Sequence, residues 1–331
     1  MQPAGPSRPF DCLWCGRAWQ PRAADDLEAR ARLCPDCLGK AGENPFLRFR
    51  LHRALEQPAA GAAGGTADPT PGAARLGGAS RSAEAELIPY YEARAAEYDD
   101  WYLRRGRYSH GPVHDLAWQM ELDAATTWLD GLPLRGEIVE LAAGTGWWSA
   151  LLATKGELHA YDAATAPLDR ARDRLVAHRL RAHLHVRDAW AEPDRAVDAL
   201  FAGFWLSHVP RERLGAFLGI VRAWLKPGAL FAAVDSLADP ASGAVDRLPA
   251  PGPDLSRRRL GDGREFTIPK VHYEPDELRD ALGAAGFVSV DLRTTGRFLI
   301  LASATAPSTG EASLVAGKAA AAADEAAPPE A

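Results

Sequence analysis

The stretch at residues 138–146 constrains the fold of this 331-residue chain more than any other feature. An apolar run there ends in small residues, which let the backbone turn sharply and approach a ligand with no Cβ in the way. A helix is expected to begin near Trp147, with its free N–H groups facing the same point. A second strand at 158–161 ends in Asp162, whose carboxylate is suited to accept hydrogen bonds from the two hydroxyls of a ribose. The pattern predicts half of a nucleotide-binding α/β unit.

The residues around this turn favour a cationic or zwitterionic ligand over a dinucleotide. In a dinucleotide fingerprint, a third glycine lets helix and strand pack closely around a pyrophosphate. Here that position is Ser149 or Trp147, depending on the alignment. Glu140 lies just before the turn, where a carboxylate has no use beside phosphate charge. The small residues available to contact the ligand are Ala142, Gly144 and Gly146.

From Glu140 to Gly146 the chain resembles motif I of class I S-adenosylmethionine-dependent methyltransferases, close to types 11 and 25, with Ala142 in place of the usual first glycine. The resemblance extends from about residue 87 to residue 302. It implies a doubly wound, Rossmann-like α/β fold with a seven-stranded sheet, helices on both faces and an antiparallel last strand. The residues that it assigns to S-adenosylmethionine are Tyr98, Glu140, Ala142, Gly144, Gly146, Asp162, Ala163, Asp188, Ala189 and Phe204.

The segments downstream follow the order of this family. Asp188 follows the predicted third strand, at 183–186, where the family's acidic residue meets the adenine amino group. The fourth strand is predicted at 197–204, with Phe204 at its end, and residues 225–231 indicate a helix end, a turn and the fifth strand. A helix opened by residues 273–278 ends near 285–287, and two closing strands are predicted at 288–292 and 297–301.

Composition divides the chain into four parts. Residues 1–57 precede a segment at 58–83 that consists almost entirely of Ala, Gly, Pro, Thr and Ser. This segment has too few large apolar groups to offset the entropy of ordering, so we predict a flexible linker. The methyltransferase-like domain is predicted at 84–305, and the Ala- and Pro-rich tail at 306–331 is predicted to be disordered.

All four cysteines lie in the first part, as the pairs Cys12 and Cys15, and Cys34 and Cys37. Two Cys-x-x-Cys turns separated by eighteen residues fit a tetrahedral Cys₄ zinc site. Two disulfides are the competing interpretation, but a two-residue loop strains that bond. With four protein ligands no coordination position stays open, so the metal would be structural and residues 1–57 would form a small zinc-ribbon-like module.

The chemistry favours a small-molecule methyl acceptor. The cofactor resemblance implies a reactive sulfonium methyl, so the protein mainly has to align an acceptor and exclude water. Without a cysteine outside the zinc pairs, C5 methylation of pyrimidines through a cysteine nucleophile is excluded. Residues 204–210 lack the Asn/Asp-Pro-Pro-Tyr/Phe pattern that grips planar amines. O- or C-methylation of a small molecule is therefore the leading hypothesis, with His208 as the candidate base because it follows the fourth strand.

Two alternatives stay open. Some methyltransferases of ribosomal RNA carry an N-terminal zinc module, and residues 8–53 have a mild basic excess, so an RNA methyltransferase is one of them. A non-enzymatic protein that keeps the cofactor fold is the other. The net charge of -6 argues against wholesale nucleic-acid binding. No apolar run is long enough to span a bilayer, and no secretory signal is visible, so we predict a cytoplasmic protein.

Two segments outside the cofactor half are expected to build the acceptor site. Residues 87–103 place three tyrosines, among them Tyr98, at helical spacing, and the resemblance implies that such a helix folds over the cofactor. An insertion at 236–270 contains Arg257, Arg258 and Arg259, which could attract an anionic acceptor. Asp254, Asp262 and Glu265 are close enough in sequence to neutralise them.

Overall fold

The computed structural model describes residues 9–12, 17–22, 33–39 and 73–308. In the first three ranges, strands β1 (Phe10–Asp11) and β2 (Ala18–Trp19) pair antiparallel, and helix α1 (Pro35–Gly39) follows. Cys15, the side chain of Cys37, most of the predicted linker and the tail from residue 309 lie outside the described residues.

The main body alternates helices and strands. Its helices are α2 (Ala73–Arg94), α3 (Tyr98–Tyr102), α4 (Pro112–Gly131), α5 (Ser149–Leu152), α6 (Thr165–Ala177), α7 (Leu214–Trp224) and α8 (Pro275–Ala284). Its strands are β3 (Glu137–Leu141), β4 (Glu157–Asp162), β5 (His183–Val186), β6 (Val197–Gly203), β7 (Leu225–Ser236), β8 (Leu255–Arg259), β9 (Glu265–Pro269), β10 (Val288–Thr294) and β11 (Leu299–Thr305).

Seven strands form one sheet in the order β10-β11-β7-β6-β3-β4-β5. Strands β3 to β7 run parallel to one another, and β11 is antiparallel to both β7 and β10. The predicted seven-stranded sheet with an antiparallel last strand is confirmed. After β5 the chain crosses to the other side of β3 to form β6, so β3 and β6 flank the point where the strand order reverses. Ligands of open α/β sheets bind outside the carboxyl ends of the strands at such a point.

Alternate residues of the central strands supply the two faces of the core. Val139 and Leu200 pack with α7 and α8 on one face, whereas Ile138 and Phe201 pack with α4 and α6 on the other. Because helices cover both faces, the central strands read as continuous apolar runs instead of alternating ones.

The structure differs from the sequence predictions at several boundaries. Helix α2 begins at Ala73, so residues 73–83, which were predicted to belong to a flexible linker, are helical and continue into the apolar turn at Leu87. The strand predicted at 297–301 begins two residues later, because the backbone N–H groups of Arg297 and Phe298 donate to the Glu121 carboxylate instead of to a neighbouring strand.

The insertion at 236–270 contains a hairpin of its own. Strands β8 and β9 pair antiparallel and lie against α2, where Leu87 and Tyr90 pack with Leu260 and Ile268. Helix α2 and this hairpin together cover the carboxyl ends of the strands. Within the described ranges, no helix is both long enough and apolar enough to cross a bilayer.

Candidate active site

The turn after β3 has the backbone conformation that its small residues allow. Gly144 and Gly146 have φ angles of 56° and 73°, and Ala142 has a φ of 53°. Ala142 thus holds a left-handed conformation that glycine adopts without strain and other residues adopt at a cost. A Cβ on Gly146 would lie 2.8 Å from the Cβ of Ala171 in α6, so this glycine also permits close packing of the turn on that helix.

Asp162 closes the turn from the end of β4. Its carboxylate accepts hydrogen bonds from the backbone N–H groups of Gly144, at 2.8 Å, and Ala164, at 2.9 Å. Burial raises the pKa of Asp162 to about 6, although these two N–H groups oppose the shift. Each carboxylate oxygen keeps a free lone pair, so the group can still accept hydrogen bonds from a ligand while it holds the turn.

Glu140 lies beneath the turn. Its side chain is 1% exposed and accepts a hydrogen bond from the Ser149 hydroxyl. Burial raises the pKa of Glu140 to about 8, which favours the protonated carboxyl at pH 7, although the Ser149 hydroxyl opposes this shift. The role of Glu140 as a negative charge for the ligand stays a prediction.

A cleft of about 260 Å³ opens over the turn, and we name it the cofactor cleft. Eight of the ten residues predicted to contact the cofactor line it: Tyr98, Ala142, Gly144, Asp162, Ala163, Asp188, Ala189 and Phe204. The other two do not line it: Glu140 is buried beneath the turn, and Gly146 is the residue of the turn that packs against Ala171. Asp162 is the last residue of β4, and Asp188 follows the adjacent strand β5, so both residues lie along one edge of the sheet.

The helix after the turn begins two residues later than the predicted start near Trp147. Helix α5 has only four residues and begins at Ser149. A different contact fixes the turn from above: the Thr145 hydroxyl donates to Asp99 at 2.6 Å, and Arg174 donates to the Thr145 carbonyl at 3.1 Å while pairing with Asp99. The sequence offered no signal for this clamp, because its members come from α3, the turn and α6.

A second, smaller cleft of about 40 Å³ adjoins the first, and we name it the acceptor cleft. The two clefts share the side chains of Tyr91, Tyr98, Phe204 and His208. Phe204 has a φ of 56°, which is unusual for a bulky residue and directs its ring to this junction. Strand β6 and helix α2 therefore meet where the two clefts join.

His208 and Tyr91 form a hydrogen-bonded pair at this junction. The Nδ1 of His208 lies 2.7 Å from the Pro269 carbonyl, which can only accept, so the ring proton is on Nδ1. Nε2 then accepts from the Tyr91 hydroxyl at 2.6 Å. Burial holds the pKa of His208 well below its usual value and that of Tyr91 well above, so both groups are neutral at pH 7. Nε2 of His208, the predicted base, is therefore unprotonated, and it faces the Tyr91 hydroxyl at the junction.

Lys270 lies on the far side of the acceptor cleft. Its ammonium group donates to the hydroxyls of Ser207, at 2.8 Å, and Ser236, at 3.2 Å, and is 3.8 Å from Asp235. Burial lowers the pKa of Lys270 to about 8. Sequence reasoning missed this residue, since nothing in the pattern around it marks an isolated lysine as part of a site.

The arginines of β8 divide between the two faces of the hairpin. Arg257 and Arg259 both pair with Glu265, at 2.7 Å and 2.6 Å. Asp262 and Asp254, which were also expected to neutralise them, instead pair with Arg264 and Arg211. Arg258 points the other way and lines the acceptor cleft. Neutralisation therefore holds for two of the three arginines.

In the N-terminal ranges, Cys12 and Cys34 are both buried. The backbone N–H of Cys34 donates to the Cys12 sulfur at 3.4 Å. One cysteine of the first predicted pair therefore lies beside one cysteine of the second.

Comparisons with known proteins agree with this geometry. The sequence profile of a family described as a methyltransferase domain matches residues 138–228. A solved structure titled the DhpI-SAH complex has 30% sequence identity and a TM-score of 0.55, and the alignment covers 70% of this chain and 99% of that one. A second structure, titled the DhpI-SAM-HEP complex, has 29% identity and a TM-score of 0.55 over 68% of this chain and 98% of the other. No curated protein matches the sequence significantly. The chain therefore belongs to the class I S-adenosylmethionine-dependent methyltransferases.

Proposed function

We propose that the protein methylates a small molecule, with S-adenosylmethionine in the cofactor cleft and the acceptor in the acceptor cleft. One observation carries this proposal: the two clefts meet at Tyr91 and His208, next to the ring of Phe204. Methyl transfer requires the acceptor atom and the sulfonium methyl to meet in line, with water excluded. The cover of the acceptor cleft by α2 and the β8–β9 hairpin supports a small acceptor over RNA.

The cofactor cleft fits an adenosyl group with an amino-acid arm. Asp162 would accept hydrogen bonds from the ribose hydroxyls, and Asp188 would accept one from the adenine amino group. Ala142 and Gly144 leave room for the ligand against the backbone. Tyr98 lines both clefts from α3, so it would cover the cofactor on the acceptor side.

The Tyr91 and His208 pair supports oxygen as the methylated atom. When bound, the cofactor supplies an electrophilic methyl group on sulfur. An acceptor hydroxyl beside Tyr91 would pass its proton to the tyrosine oxygen as the tyrosine proton moves to Nε2 of His208. The acceptor oxygen forms its bond to carbon while the carbon–sulfur bond breaks, and the proton ends on His208. The Pro269 carbonyl would keep the resulting imidazolium oriented.

We also propose that Cys12, Cys15, Cys34 and Cys37 hold a structural zinc ion in a module at residues 1–57. The buried contact between Cys12 and Cys34 supports it, since thiolates in such sites accept backbone N–H donors. The module would be separate from the catalytic domain predicted at 84–305, and α2 would extend that domain at its N-terminal end. The domain includes Ala306, which is buried and hydrogen-bonds through its backbone to Gly228 and Ala229, so the tail predicted at 306–331 would begin beyond this residue.

A binding and transfer experiment tests the main proposal. The purified protein should bind S-adenosylmethionine and not NAD by calorimetry. With methyl-labelled S-adenosylmethionine and a fractionated cell extract, label should enter the small-molecule fraction and not the RNA fraction. Label that appears only in RNA would reject the small-molecule acceptor, and binding without transfer to either fraction would favour a non-enzymatic role.

The Tyr91→Phe variant tests the proton path, because it keeps the ring and removes the hydroxyl. With the acceptor found in the extract, we expect kcat to fall by roughly 10²-fold or more, the usual range for general-base catalysis, while cofactor affinity is unchanged. The matched control is Tyr273→Phe, whose hydroxyl donates to the Val209 carbonyl outside both clefts. Equal kcat values for the wild type and Tyr91→Phe would reject the role of this pair.

A further inference from the structure

We infer that the acceptor carries an oxyanion group, and that Arg94, Arg258 and Lys270 bind it in the acceptor cleft, with Arg247 at the mouth. This inference rests on the proposed function and specifies its acceptor class. All four cationic side chains line the same cleft, although they come from α2, a loop, β8 and the end of β9.

Arg94 is the first reason. It is 7% exposed, and its guanidinium lies 4.4 Å from the centre of the Tyr98 ring and 5.6 Å from that of Tyr90. In the part of the chain that the structure describes, Arg94 forms no ion pair with a carboxylate, and its Nε has no hydrogen-bond partner. A buried guanidinium without a counter-ion is costly, and tyrosine faces offset only part of that cost. An anionic ligand in the cleft would supply the missing charge.

Arg258 is the second reason. It lies between two exposed arginines on β8, and both of those pair with Glu265. Alternation along the strand turns Arg258 inward to the cleft. Its Nε is buried without a hydrogen-bond partner, and among the described residues no carboxylate lies within ion-pair distance of it. The hairpin thus neutralises its outer arginines and leaves the inner one for a ligand.

Lys270 completes the arrangement opposite them. Two hydroxyls, Ser207 and Ser236, hold its ammonium group in place. The nearby carboxylate of Asp235 is engaged by the backbone N–H groups of Ser207 and Ser236, at 2.8 Å and 2.6 Å. Among the described residues, one carboxylate lies near Lys270, at 3.8 Å, and no carboxylate lines the cleft, so the cleft keeps a positive excess. Guanidinium and ammonium donors around a small cavity suit a carboxylate, sulfate-type or phosphate-type group.

Anion binding to the full-length protein tests this inference without knowledge of the acceptor. The probes are inorganic phosphate, sulfate and acetate, each exchanged against chloride at constant ionic strength. Binding is followed by intrinsic tryptophan fluorescence, with and without S-adenosylhomocysteine. We expect saturable binding of at least one probe, and the preference between tetrahedral and planar anions will indicate the type of acid group.

The matched variants are Arg258→Gln and Arg257→Gln, which remove the same charge from adjacent positions that face opposite sides of β8. Arg258→Gln and Lys270→Met should each weaken anion binding about tenfold or more, as expected for the loss of a hydrogen bond to a charged group. Arg257→Gln should change it less than about twofold. Unchanged cofactor affinity in all three variants will show that each one folds.

The outcomes separate this inference from the proposed function. If the wild type binds cofactor but none of the three anions, or if Arg257→Gln weakens anion binding as much as Arg258→Gln, the oxyanion site is rejected while the methyltransferase proposal stands. If cofactor does not bind, the proposed function fails. The Arg257 and Arg258 comparison still decides the anion site in that case, because it is also measured without cofactor.

Discussion

Replacement of Asp162 by alanine is the most direct test of the cofactor cleft. We propose that the carboxylate accepts hydrogen bonds from both ribose hydroxyls while it holds the N–H groups of Gly144 and Ala164. Hydrogen bonds to a charged group contribute about 1.5 to 3 kcal/mol, so Asp162→Ala should weaken S-adenosylmethionine binding by roughly 10- to 150-fold.

The raised pKa of Asp162 adds a pH dependence with a definite sign. The carboxyl has a pKa of about 6, and only its ionised form accepts from both hydroxyls. Cofactor binding should therefore be nearly constant above about pH 7 and weaken as the pH falls through 6. At pH 5 the wild type should bind about tenfold more weakly, because one pKa unit corresponds to about 1.4 kcal/mol. Asp162→Ala should lose this dependence, because the group that titrates is gone.

Calorimetry from pH 5 to pH 7 measures both effects. Asp162→Asn serves as a second variant of nearly the same shape, in case alanine leaves two backbone N–H groups without an acceptor and destabilises the turn. Asp169→Ala is the control, since it removes the same charge from an exposed position on α6. Full affinity in Asp162→Ala would refute the ribose assignment, whereas wild-type affinity that does not change between pH 7 and pH 5 would contradict the raised pKa of Asp162.

Three further predictions concern stability and the N-terminal module. Gly146→Ala should lower the free energy of unfolding by about 2 to 5 kcal/mol in urea titrations, because its positive φ and the 2.8 Å approach to Ala171 both oppose a Cβ. Gly228→Ala, whose Cβ would have no neighbour within 4 Å, should lose only about 1 to 2 kcal/mol, and equal losses would contradict the packing argument. Elemental analysis should find one zinc ion per chain in the wild type and almost none in Cys34→Ser; a wild type free of zinc without chelator treatment would reject the metal site. Removal of residues 1–72 should leave cofactor affinity within about twofold of the wild type, and loss of binding would show that the two parts depend on each other.

Local pattern was sufficient for most of the fold. Buried parallel strands read as continuous apolar runs, and the turn at 142–146 depends on backbone conformations that small residues permit, so both could be predicted from neighbouring residues alone. The family and the position of Asp162 at the end of β4 followed from these signals, and the family resemblance implied the seven-stranded sheet with its antiparallel last strand. The zinc site, the domain boundaries and the cytoplasmic location stay predictions.

Local pattern failed where packing changes what a residue does. Glu140 was interpreted as a charge for the ligand, and its charge depends on packing, because burial raises its pKa to about 8 while the Ser149 hydroxyl opposes the shift. The flexible linker was predicted from composition, which does not reveal that residues 73–83 form the first turns of α2. Protonation and order both depend on neighbours that are distant in sequence.

The sequence by itself determined the half of this protein that contains the cofactor cleft, because most residues that line this cleft lie on consecutive strands and turns. Only the tertiary structure decided the half that contains the proposed acceptor cleft. It brings Arg94, Arg258 and Lys270 to one cleft from separate elements and turns Arg257 away to Glu265. Such a cluster has no recognisable spacing pattern in the sequence, because its geometry comes from the packing of α2 and the β8–β9 hairpin over the sheet.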